Sequence, residues 1–391
     1  MTTAVAFDAR AVAHLPLDEA LLACRELLED PAFPTVHAWR ENGGRVCSHF
    51  QVYFPEELAH AVGMLPVKVR GAAVQMRQAD SHFGSYLCSI LRSSLEVALD
   101  GRLPLDMFVT QPICDGARNL AGVWARNLRY PARILYLPQN ANSEAAPEYL
   151  RAEYASVLAE LEDIAGRRAT VVDLQTSIAV FNQNRRLLRE LYRIRCSTPW
   201  LLAVDESWVL VALAGLLPRE EHNALLAGLL PAIATRTARA RDKIRVVFER
   251  GFCEQPPLDL LSMIAQSCDV VDDDILVALR WLTSDVRTDG DPLAALAHAY
   301  LEQSGWSPVQ HDLRKPKEEM LLARIRNARA EAAIIAAAKM CEPGLDEQVA
   351  YTRALDAAGI PYFVTEFEEK MSGFDQLQLQ LETFVEGILF A

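Results

Sequence analysis

The sequence predicts an α/β protein: two doubly wound parallel-sheet units, with a helical N-terminal stretch and a helical segment between them. Short β-branched runs alternate with amphipathic stretches over residues 46–144 and again over 243–391, as in strand–helix–strand units with a parallel sheet. The stretch between them, 145–242, has helical patterning and almost no strand signal. Three apolar stretches break off at a cysteine, at Cys88, Cys114 and Cys341. Two of the three read as buried strands, and open α/β sheets bind ligands outside the carboxyl ends of their strands.

Taken in order, residues 1–45 are helical. LDEALLACRELLED (17–30) places its apolar residues at helical spacing, with Cys24 on the core side. RVCSHFQVYF (45–54) reads as a strand, and PEELAHAVG (55–63) as a helix opened by Pro and closed by Gly. MLPVKVRG (64–71) is strand-like, and FGSYLCSILRSSLEVALDG (83–101) is an amphipathic helix with Cys88 near its start. MFVTQPIC (107–114) is the next strand, DGARNLAGVWARN (115–127) a helix and ARILYLPQN (132–140) a strand. Three helix-patterned stretches fill the middle of the chain. KIRVVFERGF (243–252) then begins the second alternation, followed by a helix to Ser267 and the strand CDVVDDDI (268–275). AEAAIIAAAKMC (330–341) is a buried run, LDEQVAYTRALDAAG (345–359) a helix, IPYFVTEFE (360–368) a strand and FDQLQLQLETFVEGIL (374–389) the closing helix.

Composition bounds the function. A chain of 391 residues with 51% hydrophobic content builds a sizeable core. A formal charge of −13 argues against nucleic-acid binding, which needs a basic face. MTTAVAFDAR has no signal-peptide pattern, and the longest apolar stretch, WVLVALAGLL (208–217), is too short to span a bilayer. A cytoplasmic protein with no membrane partner is expected. Eight cysteines in such a chain are no disulfide framework. There is no CxxC pair and no GxxxxGK[ST] phosphate loop.

A single buried cysteine is more often a small hydrophobe than a ligand. Two features favour ligation here. Cys114 and Cys341 stand at strand-to-loop transitions, followed by Asp-Gly and Glu-Pro, and Cys88 opens a helix, whose dipole favours a thiolate. Three thiolates from distant stretches suit an iron–sulfur cluster with one iron left open. Cys253 also ends a strand and is a rival. Cys268 begins one and Cys47 lies inside one, positions that suit the core. The run Asp272–Asp274 reads as a solvated turn or helix cap, or as a pocket-rim acid. Glu254 and Asp274 are the candidate proton donors. RIRNARAE (324–331) reads as the polar face of a helix, and His82 as no ligand.

VYFPEELAHAVGMLP (52–66), SYLCSILRSSLEVAL (85–99), QPICDGARNLAGVW (111–124), RGFCEQPPLDLL (250–261) and CDVVDDD (268–274), with the strand that ends in Cys341-Glu342-Pro343, carry a resemblance. Over nearly its full length the chain resembles the 2-hydroxyacyl-CoA dehydratase and benzoyl-CoA reductase superfamily, most of all its benzoyl-CoA reductase branch. The resemblance implies two flavodoxin-like domains and a [4Fe–4S] cluster held between them by Cys88, Cys114 and Cys341. It implies a homologous cluster-binding partner subunit and a second, ATP-hydrolysing pair of subunits that uses ATP-Mg in place of this chain. Ferredoxin is the implied electron donor. The implied substrate is an aryl-CoA thioester, reduced to a cyclic diene in single-electron steps. A 2-hydroxyacyl-CoA dehydratase subunit and a non-catalytic, cluster-scaffolding homologue are the alternatives. Cys47 has no counterpart in the family pattern, and 366–384 departs from the family's Gly-Gln-containing stretch.

Overall fold

The computed structural model describes residues 7–50, 54–84, 86–249, 256–274, 284–305, 312–368 and 371–390. Three helices lead in: α1 (Ala9–Val12), α2 (Leu17–Glu29) and α3 (Pro34–Glu41). The first sheet unit follows as β1 (Arg45–Phe50), α4 (Glu56–Ala61), β2 (Met64–Val69), α5 (Ser89–Leu99), β3 (Met107–Thr110), α6 (Asp115–Asn127) and β4 (Ala132–Ile134). Helices α7 (Ala146–Ala165), α8 (Val171–Ser197), α9 (Val204–Ala212) and α10 (Arg219–Ala234) connect the units. The second unit runs β5 (Ile244–Glu249), α11 (Leu258–Ser267), β6 (Cys268–Asp273), α12 (Pro292–Gln303), α13 (Lys317–Ala328), β7 (Ala332–Ala338), α14 (Glu342–Ala358), β8 (Tyr362–Phe367) and α15 (Asp375–Leu389). Among the described residues no helix is long and apolar enough to cross a membrane.

Each unit holds one four-stranded parallel sheet, ordered β2-β1-β3-β4 and β6-β5-β7-β8. Both follow the first four places of the flavodoxin-like order 2-1-3-4-5, so the expected α/β class and its two flavodoxin-like units stand. In each sheet the winding reverses between the two central strands, which opens a crevice at their carboxyl ends, between β1 and β3 and between β5 and β7. Strand composition follows position. β7 reads AAIIAAA and is buried throughout, as befits a central strand covered on both faces. Pro66 lies within β2, an edge strand in which its missing N–H costs no ladder bond. β4 is shorter than its apolar run: after Leu135 N donates to Thr110 O at 2.9 Å the strand ends, ahead of Pro138.

One hydrophobic cluster runs across both sheets and the connecting helices, and a second, with Val247, Ile335, Leu321 and Leu355, fills the other face of the second sheet. Phe108 of β3 stacks on Trp124 of α6, with ring centroids 3.9 Å apart, and fixes that helix against its sheet. The long α8 starts with a capping box, in which Asp173 N donates to Thr170 Oγ1 at 3.1 Å and Thr170 N returns a bond to Asp173 at 2.8 Å. Its arginines reach both units. Arg185 pairs with Glu57 of α4, and Arg195 with Asp273 of β6.

Candidate functional site

The three cysteines singled out by the sequence share one local geometry: each is the N-cap of a helix. Cys88 precedes α5, Cys114 precedes α6 and Cys341 precedes α14. Cys114 and Cys341 are topological equivalents, since each follows the third strand of its unit at the reversal point of its sheet. The turn ahead of Cys341 is made by Met340, which adopts a left-handed φ of 60°. At Cys114 the thiol accepts from Ala117 N at 3.3 Å.

Cys114 and Cys341 lie within electrostatic range of each other across the two units. Burial pushes the Cys114 thiol up, the amides of Ala117 and Gly116 pull it down, and the neighbouring charges of Cys341 and Glu342 push it up again. Residues from the second sheet therefore lie within electrostatic range of the end of β3. Gly116 locks α5 to α6: a Cβ there would stand 2.5 Å from Leu91 Cδ1, 3.3 Å from Leu87 Cδ2 and 3.7 Å from Cys114 Sγ. Leu87 and Leu91 flank Cys88 in the chain, so the first turns of the two helices meet. Cys88 and Cys114 are half-buried and Cys341 is buried. The described cysteines form no disulfide.

This donor set suits a polynuclear cluster. Among the described residues no three His, Cys, Asp or Glu side chains crowd closely enough to share a single ion. An iron–sulfur cluster takes one thiolate per iron, so its ligands stand farther apart than those of a single ion. Helix N-termini offer amide N–H groups and a positive dipole end to a thiolate. Cys24, Cys47 and Cys268 have no such setting. All three are buried in the core, and burial pushes the Cys24 and Cys268 thiols up to about 12. His82 is exposed.

The carboxylates fare differently. Glu254 and Cys253 lie outside the described residues. Asp274 is buried just past β6, and its backbone N–H donates to Phe248 O at 3.2 Å. The aspartate run is neither a solvated turn nor a helix cap, because β6 continues through Asp273 and arginines take up the charge. Asp272 accepts from Arg324 Nε at 3.0 Å, and Asp273 accepts from the Tyr192 hydroxyl at 2.7 Å and pairs with Arg195. Burial pushes the Asp273 carboxyl up, against the pull of Arg195. Arg324 also pairs with Glu249 at the end of β5, so RIRNARAE is more than a solvated helix face. A signal for this exists in the sequence: clustered aspartates after an apolar strand need cations, and the helix before the next strand carries one.

At the matching end of the first sheet, His49 stacks on Phe54 and shares a 2.9 Å hydrogen bond with Glu56 through Nε2. Glu56 also pairs with Arg219 of α10. Burial would raise the Glu56 carboxyl, but Arg219 and His49 outweigh it and hold it at about 2. His222 is kept neutral, its imidazole lowered to about 3 by burial and by Arg219. In that form Nε2 donates to Leu210 O and Nδ1 accepts from the Asn184 amide, both at 2.7 Å. The PEEL segment thus serves here as an anchor for the connecting helices.

A family model for the 2-hydroxyglutaryl-CoA dehydratase D-component matches residues 51–388. A benzoyl-CoA reductase subunit of Thauera aromatica is 33% identical over 380 residues, covering 95% of this chain and 98% of that one. Lactoyl-CoA dehydratase subunit beta of Anaerotignum propionicum is 28% identical, with 88% and 92% covered. (R)-2-hydroxyglutaryl-CoA dehydratase subunit beta of Acidaminococcus fermentans is 26% identical, with 90% and 94% covered.

Proposed function

The chain belongs to the 2-hydroxyglutaryl-CoA dehydratase D-component family, and we propose from this that it is the cluster-holding subunit of an ATP-driven aryl-CoA reductase of the benzoyl-CoA type. The observation that carries the reading is the shared N-cap position of Cys88, Cys114 and Cys341, with α5 packed on α6 and Cys341 within electrostatic range of Cys114. These three would hold a [4Fe–4S] cluster, which when bound supplies single electrons at low potential. The chain's own part is to stabilise three thiolates with helix N-termini and to keep their surroundings apolar, through Leu87, Leu91 and Ile113 among others.

A ring reduction also needs protons. Asp274, beyond β6 at the end of the sheet where the crevice opens, and Glu254, which follows β5 in the sequence, are the proposed donors. The proposed partners are a homologous cluster-binding subunit, an ATP-hydrolysing subunit pair and ferredoxin. Relatives named as subunits of larger enzymes support a partnered chain. The similarity to two dehydratase beta subunits supports a second reading, in which the same site serves water elimination from a 2-hydroxyacyl-CoA.

The test is iron and sulfide quantitation on the anaerobically purified complex, with product analysis. About one [4Fe–4S] cluster on this chain and a cyclic diene from benzoyl-CoA are expected. An enoyl-CoA from a hydroxyacyl-CoA, with no diene, selects the dehydratase. A full cluster complement in Cys114→Ser overturns the ligand assignment.

A further inference from the structure

β3 ends in Thr110, and Gln111 follows it at the reversal point of the first sheet. Both side chains are wholly buried, and neither the Gln111 Nε2, the Gln111 Oε1 nor the Thr110 Oγ1 meets a hydrogen-bond partner. Their backbones are in order: Leu135 N donates to Thr110 O and Ile113 N to Gln111 O, both at 2.9 Å. Among the described residues Gln111 is the one buried carboxamide with both ends unpaired. A buried amide without partners is costly, so its retention points to a partner that arrives with something else.

Gln111 stands three residues ahead of Cys114. Three residues of chain reach at most about 11 Å, and the Ile113-to-Gln111 turn shortens that path. A long carboxamide and a cysteine so placed are close enough along the chain to share one group. Thiolate and sulfide sulfur accept hydrogen bonds, and the carboxamide has two N–H donors.

We propose that Gln111 is a positioning residue that donates from Nε2 to the group held by Cys114, so that its hydrogen bonding is completed only when that group is bound. The inference rests on the cluster reading above. It says more, because a donor aimed at cluster sulfur favours the more negative, reduced state and raises the reduction potential. At the equivalent place ahead of Cys341 the chain has Ala338, whose side chain offers no donor, so the two units differ at this position.

The experiment compares wild type, Gln111→Leu and the isosteric Gln111→Glu in the anaerobically purified complex. Three quantities are read: iron content, the midpoint potential from titrations followed by electron paramagnetic resonance, and the melting temperature of the cluster-free protein. The signal lost in Cys114→Ser identifies this chain's cluster. Full iron in Gln111→Leu is expected, with a midpoint shifted to more negative potential. The cluster-free Gln111→Leu protein should melt no lower than wild type, because an unpaired amide has gone. Gln111→Glu should shift the midpoint further the same way, through its negative charge. Unchanged midpoints in both variants overturn the proposal. A lower melting temperature for the cluster-free leucine variant also overturns it, by placing the amide's partner, an ordered water included, inside the chain. Iron absent from the wild-type complex removes the cluster reading and this inference with it.

Discussion

The two sheet units share strand order, strand direction and the position of one cysteine, yet they meet the candidate site unequally. The first unit brings Cys114 at the end of β3, a second cysteine on α5, and the buried amide of Gln111. The second brings Cys341 and, at the helix corresponding to α5, Pro316 in place of a cysteine. The repeated fold thus supplies one thiol per unit through its topology, and the third is a local addition to one of them. Charge is divided as well. The first unit anchors Glu56 and Glu57 on Arg219 and Arg185, while the second anchors Asp272 and Asp273 on Arg324 and Arg195.

The largest expected effect falls on Cys341, the second unit's single thiol at this site among the described residues. Cys341→Ser should abolish cluster retention as completely as Cys114→Ser or Cys88→Ser, read as iron per chain. Full iron in Cys341→Ser would mean that Cys341 is not a ligand and that the likeness of β3 to β7 has no bearing on the metal. Next comes the clamp. Arg195 and Asp273 are both about 1% exposed along their side chains, so Arg195→Met strands a buried carboxylate and should cost about 3–5 kcal/mol in urea unfolding. Removing both partners, as Arg195→Met with Asp273→Leu, should return most of that loss. A single variant as stable as wild type would show that α8 does not hold the second unit through this pair.

That clamp also marks where the sequence stops being legible. Strands and helices are legible because hydrophobic period is local: β1, β3, β5 and β7 all lie inside the runs that predict them. The N-cap role of Cys341 is within reach too. Pro343 is a helix-opening residue, although the apolar spacing starts that helix only at Leu345. Cysteine is not among the usual capping residues, so nothing in composition marks it as one. The ion pairs are legible only as a need for cations near Asp272–Asp274, not as particular partners. Glu57 and Arg185 are 128 positions apart in the chain, and no spacing rule joins them. An arginine on a helix looks the same in the sequence whether it faces water or a buried aspartate, and helical spacing alone assigns Arg324 to water.

Acid should separate the two units next. Glu56 is held at about 2, below the roughly 4.3 of an unfolded glutamate. Its contribution, about 3 kcal/mol, is therefore present above the unfolded value and is lost as the pH falls through the folded one. His222 acts earlier in the same direction. It is neutral in the fold down to about 3, whereas the unfolded chain takes up that proton from about 6.5 downward. Asp273 has the opposite sign: its carboxyl is raised in the fold, so protonation on acidification favours the folded second unit. Urea unfolding at stepped pH should show Glu56→Gln less acid-sensitive than wild type and Asp273→Asn more so. Equal pH slopes in all three proteins would remove the electrostatic contrast.

The smallest effect tests whether capping, rather than the mere presence of a thiol, distinguishes the site. Cys47 lies inside β1, fully buried, with Ser48 O as a distant acceptor at 3.9 Å, and burial pushes its thiol up. It belongs to the first unit, like Cys88 and Cys114, and its strand borders the same reversal point. What it lacks is a helix N-terminus and a surface on the crevice. Cys47→Ala should therefore leave iron content unchanged and cost only about 1 kcal/mol, the scale of a small group removed from a packed strand. Loss of iron in this variant would show that proximity to the end of β1 outweighs the helix ends, and the two-to-one division of ligands between the units would have to be redrawn around the strand.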